Sequence, residues 1–185
     1  MEPIPLSGGQ LMLTNPDDHT LLARDPALIG GALAYTQADL DRMRMTCPEV
    51  PVGLTAGCPP LPADCAPPVA ERYMGACRAA FRPLVRQQAD FYYLCGAPNF
   101  YALRAAVLAM TDLSGTALMA ELSVDADGRM EDGTDVLAAV AVLQRIGVST
   151  IVLTAEESQD LTDALRLAAP YARVSLGVRC PAVWL

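Results

Sequence analysis

From residue 50 onward, short runs of apolar and β-branched residues alternate with longer stretches in which apolar residues return at helical spacing. The pattern predicts strands at Val52 to Thr55, Phe91 to Cys95, Ala117 to Val124, Thr150 to Thr154 and Val174 to Val178. Helices are predicted between them at about 68 to 88, 99 to 111, 135 to 146 and 157 to 169. Runs such as FYYLC and TIVLT are apolar without strict alternation, as expected when helices cover both faces of a parallel sheet. Crossover helices of this length make the connections parallel and right-handed. Thr134 or Asp135 is the expected N-cap of the third of these helices, and Gly147 stands where a left-handed residue ends it.

The first 50 residues are less regular. PIPLSGG reads as a short strand running into a glycine turn, and Ala38 to Met45 as a helix with a charged face. Between them NPDD and GG mark turns, and a helix fits Asp25 to Ala34. PPLPADCAPP is a rigid loop, because its prolines exclude both a helix interior and ladder pairing. With no low-complexity tail and no composition break, residues 1 to 185 are expected to form a single domain.

Composition narrows the function classes. A chain of 185 residues that is 52% hydrophobic can bury a sizeable core. The net charge is -8, and the 13 basic residues, all arginine, are scattered, so neither nucleic acid nor an anionic membrane surface is an expected partner. No run approaches the roughly 18 apolar residues of a membrane span, and the first 30 residues lack a secretion signal, so the expected location is the cytoplasm. The six cysteines, at 47, 58, 65, 77, 95 and 180, show no regular pairing and read as reduced thiols. Cys58 and Cys65 are separated by six residues, more than the two to four usual in structural zinc pairs. His19, the only histidine, lies in the NPDDH turn, where a surface or capping role is expected.

Residues 123 to 135, SVDADGRMEDGTD, place an acidic, glycine-punctuated loop between a strand and a helix. Its Asp125, Asp127, Glu131 and Asp132 do not have the spacing of a calcium-binding EF-hand, so the loop reads as a solvated turn, with Gly128 and Gly133 supplying turn conformations. The segment from Thr116 to Thr154, TALMAELSVDADGRMEDGTDVLAAVAVLQRIGVSTIVLT, resembles the homocysteine S-methyltransferase family, a (β/α)8 module. It looks like that family's fifth strand, its D-x-D-G-R-x-x-x-G-T-[SD] loop, the next helix and the sixth strand. APYARVSLGV is similar to the seventh strand, ADFYYLCGAPNFYAL to the fourth, PVGLTAGCPP to the third and LSGGQ to the first. On this resemblance the fold is an incomplete (β/α)8 TIM-barrel-like parallel sheet of about six strands, with the second and eighth missing.

The resemblance implies methyl transfer to a thiol that three cysteines ligate to zinc, and this sequence departs from it at each aligned position. Thr154-Ala155 stands where the family has an N-C dipeptide, and the G-G-C-C element of the eighth strand is absent. Ser7 replaces a first-strand Asp and Cys95 a fourth-strand Glu, so two carboxylates that would hold a cation become a hydroxyl and a thiol. The expectation is therefore a degenerate, non-catalytic ligand-binding or accessory module linked to one-carbon or corrinoid metabolism. Its candidate ligand-binding residues are Ser7, Gly8, Gly9, Cys95, Ser123 and Thr154, with no cofactor expected. The alternative is a zinc-dependent homocysteine S-methyltransferase completed by a partner chain or by a rearranged site of Cys58, Cys95 and Cys180. Open sheet edges would favour a homo-oligomer or a partner protein, and a small-molecule ligand fits the barrel-like architecture.

Overall fold

The computed structural model describes residues 13–14, 31–46, 48–61 and 69–179. Seven parallel strands form one sheet: β1 (Leu13–Thr14), β2 (Gly31–Ala34), β3 (Val52–Gly57), β4 (Phe91–Cys95), β5 (Ala117–Ser123), β6 (Thr150–Thr154) and β7 (Ser175–Arg179). Five helices alternate with them: α1 (Gln37–Thr46), α2 (Val69–Val85), α3 (Phe100–Leu113), α4 (Val136–Leu143) and α5 (Ser158–Ala168). Each strand pairs with its sequence neighbour, so spatial order follows chain order, and the six longer strands curl into a half-barrel. This is the incomplete TIM-barrel-like sheet implied by the resemblance, with seven strands among the described residues where about six were expected.

The main correction falls at the N-terminal side. Gly31–Ala34 is a strand, not the end of a helix over Asp25 to Ala34. It occupies the second place of the sheet, which the resemblance left empty, and pairs through Ala32 with Val52. A four-residue run flanked by glycine carries too little periodicity to separate strand from helix, and pairing to β3 decides the matter. The expected strand at PIPLSGG, His19 and most of the PPLPADCAPP loop lie outside the described residues. β7 runs one residue later than its apolar pattern suggested, which brings Arg179 into the strand.

The strands are apolar on both faces for two different reasons. One set of side chains, including Leu54, Tyr92, Leu94, Leu118, Leu122, Ile151 and Leu153, packs under the helices in the main core. The alternate set, Phe91, Tyr93, Met119 and Val152, forms a smaller cluster on the concave inner face, with Leu33, Cys95 and Ala117 against it. Among the helices, α3 supplies most to the main core: Ala102, Leu103, Ala106, Val107, Ala109 and Met110 are buried. Burial of this face, rather than propensity, holds the helix in place.

Candidate functional site

Strand register arranges the inner face in layers. At its base Gly53 faces Phe91 across β3 and β4. A Cβ on Gly53 would lie 2.2 Å from the Phe91 ring, so the missing side chain is what lets the ring lie across the strand. The next layer pairs Thr55 with Tyr93 and Tyr93 with Met119. Toward the C-terminal strand ends the wall turns polar. Glu121 faces Val152, and above it Ser123, Thr154 and Arg179 stand side by side on β5, β6 and β7. In (β/α) barrels this is the end that carries function, because the loops there can vary without disturbing the barrel.

Glu121 is the centre of the polar wall. Its side chain is only 11% exposed, and a carboxylate removed that far from water needs compensating donors. It has two on one oxygen: the Tyr93 hydroxyl donates to Oε2, and Arg179 Nη1 donates to the same atom at 2.7 Å. Burial pushes the Tyr93 phenol well above its ordinary range, and Glu121 adds to the rise, with Arg179 opposing it. Tyr93 therefore remains a hydrogen-bond donor at physiological pH. The hydrogen bond to Glu121 raises Arg179 further still.

The three described cysteines, Cys58, Cys77 and Cys95, are raised by burial and divided between the two faces. Burial, reinforced by Cys77, Cys95 and Glu121, pushes the Cys58 thiol up to about 12. Cys95 is also raised, by burial and then by Glu121, with Arg179 acting against them. The two are close along the backbone, where the Cys58 amide donates to the Cys95 carbonyl at 2.9 Å. Their side chains nevertheless part, Cys58 packing against the main core under the helices and Cys95 against the inner-face cluster. Among the described residues no group of three His, Cys, Asp or Glu side chains could hold a metal ion.

The acidic loop is spent on its own architecture. Asp125 accepts from the amides of Asp127 and Arg129 at 3.0 and 2.9 Å, and Gly128 and Gly133 adopt φ of 69° and 80°. Asp135 caps α4 through the Leu137 amide at 2.8 Å. Asp132 reaches across to the first residue of α3, accepting from the Phe100 amide at 2.8 Å. Burial would raise the Asp132 carboxyl, yet the amides of Thr134 and Phe100 hold it below its usual range. Beside this loop is an open cleft of about 460 Å³ lined by Ser123, Asp125, Arg129, Glu131, Glu156, Glu157 and Asp160, among others.

Of the residues singled out in the sequence, the fold brings Ser123 and Thr154 together at the mouth and leaves Cys95 one layer below. Ser7, Gly8, Gly9 and Cys180 lie outside the described residues. Tyr93, Glu121 and Arg179 were missed. Glu121 is the lone charge in an otherwise apolar strand, ALMAELS, and that was the available signal. Nothing local distinguished Tyr93 from Tyr92, whose hydroxyl reaches the Val85 carbonyl at 3.4 Å on the other face.

Two similar solved structures are forms of the homocysteine methyltransferase MmuM from Escherichia coli. The apo form superposes with a TM-score of 0.66 at 16% identity, covering 94% of this chain and 82% of that chain. The metallated form gives 0.64 at 15% identity, with 93% and 84% covered. No protein-family model matches the chain, and no curated protein does. No helix among the described residues is long and apolar enough to cross a membrane. At these identities the likeness concerns the fold alone, and that fold is homocysteine methyltransferase-like.

Proposed function

We propose that this chain is a non-catalytic ligand-binding or accessory module on a homocysteine methyltransferase-like fold, acting in the cytoplasm and linked to one-carbon or corrinoid metabolism. The observation that carries the reading is the mouth of the half-barrel. A thiol-activating site needs thiolates or a metal. Here the wall presents a hydrogen-bonded Tyr93–Glu121–Arg179 network, while Cys58 and Cys95 are protonated and on opposite faces. Such a wall can orient a ligand, and burial leaves the two described thiols at its rim in their protonated form.

The reading is tested by loading the reduced, full-length chain with limiting zinc and assaying methyl transfer to homocysteine. The expected result is no retained zinc and no product. About one equivalent of zinc per chain, lost in Cys58→Ser, Cys95→Ser or Cys180→Ser and accompanied by methylated product, would overturn it in favour of a zinc-dependent methyltransferase. The proposal extends to partners: the edge of β7 pairs with a second copy of the chain.

A further inference from the structure

We infer that the polar row at the mouth, Ser123, Thr154 and Arg179, is a binding site for the carboxylate of a small organic monoanion. The inference rests on the ligand-binding reading above and specifies the chemistry that is bound. Register sets Ser123 beside Thr154 and Thr154 beside Arg179. Adjacent strands lie about 4.8 Å apart, so one carboxylate can bridge neighbouring groups of the row. Among the described residues neither hydroxyl is held by a side-chain hydrogen bond. Arg179 commits Nη1 to Glu121 Oε2, and its side chain remains 57% exposed, so the rest of the guanidinium fork is open to an acceptor.

Glu121 is the positioning residue. It is nearly buried and also held by Tyr93, so it anchors the guanidinium from below and spares the ligand the entropy of fixing a free arginine. The same carboxylate sets the valence of the ligand. Glu121 already balances the one cation of the row, and Ser123 also borders the cleft where Asp125, Glu131, Glu156, Glu157 and Asp160 outnumber Arg129. A dianion such as phosphate would enter a field that is negative on two sides, whereas a monoanion meets a guanidinium with spare donors.

The test is a titration of the full chain with butyrate, followed by amide chemical shifts, with inorganic phosphate as the dianionic comparison. Saturable binding of butyrate is expected, with phosphate at least about tenfold weaker. Arg179→Gln should weaken butyrate by about tenfold or more, as loss of charge-assisted hydrogen bonds does. Glu121→Gln should move the selectivity toward phosphate, an effect that a merely structural ion pair would not produce. Should Arg179→Gln fail to fold, Thr154→Val and Ser123→Ala provide the same reading, each weakening butyrate several-fold. Absence of saturation with butyrate, unchanged affinity in these variants, or tighter binding of phosphate would overturn the proposal. Butyrate failing in a zinc-free chain removes this inference only, whereas zinc uptake with methyl transfer removes the reading beneath it.

Discussion

The described thiols and several phenols are shifted by burial more than by neighbours. Cys58 shows the consequence for pH. An unfolded thiol ionises near 9, while the folded chain keeps this proton to about 12. Between those values the native state binds more protons than the unfolded state, so stability is intact below pH 9 and falls as pH rises. Tyr73, Cys77, Tyr93 and Cys95 are raised by burial in the same direction and steepen the loss. Urea unfolding of Cys58→Ala between pH 9 and 11 should show a shallower decline than the parent, by up to one proton, or roughly 1.4 kcal/mol per pH unit. Parallel curves for the two proteins would mean that the thiol ionises normally in the folded chain.

At the scale of elements, glycine and aspartate do the fitting. Gly53 lets the Phe91 ring cross β3, with three ring atoms between 2.2 and 2.5 Å from where a Cβ would sit. Gly53→Ala should therefore destabilise the chain by about 1–3 kcal/mol, the usual consequence of overpacking. Adding Phe91→Leu to that variant should recover part of the loss, so thermal or urea midpoints of the two singles and the double would be non-additive. Strict additivity would place the strain elsewhere. Asp132 works between elements: by accepting from the Phe100 amide it ties the β5 loop to the start of α3, where Asn99 already caps the Ala102 amide at 2.9 Å. This is why the acidic loop is better understood as a brace than as a metal site.

For the molecule as a whole, the sheet has an apolar floor and a polar mouth, and among the described residues it ends at β7. On that strand Val178 is exposed by 49%. Pairing of β7 with a second copy would satisfy its outward backbone groups and cover part of this apolar surface. Light scattering on the full chain is expected to give a dimeric mass, with Val178→Asp shifting it toward monomer. A monomeric mass over the micromolar range would refute the pairing.

Hydrophobic periodicity by itself determined the α/β class, the parallel sheet and five strands to within a residue or two, because a strand covered on both faces and an amphipathic helix leave different local patterns. It also located the β5 loop and narrowed the α4 cap to Thr134 or Asp135, of which Asp135 makes the bond, since capping and turn formation are short-range. It could not find β2, whose four residues become a strand only by pairing with β3. Nor could it find the wall network, because Tyr93, Glu121 and Arg179 lie 28 and 58 residues apart along the chain and meet only once parallel register stacks their strands. The cysteines make the converse case. Adjacent in the fold at the ends of β3 and β4, Cys58 and Cys95 are separated by side-chain alternation across the sheet, which only the tertiary structure decides.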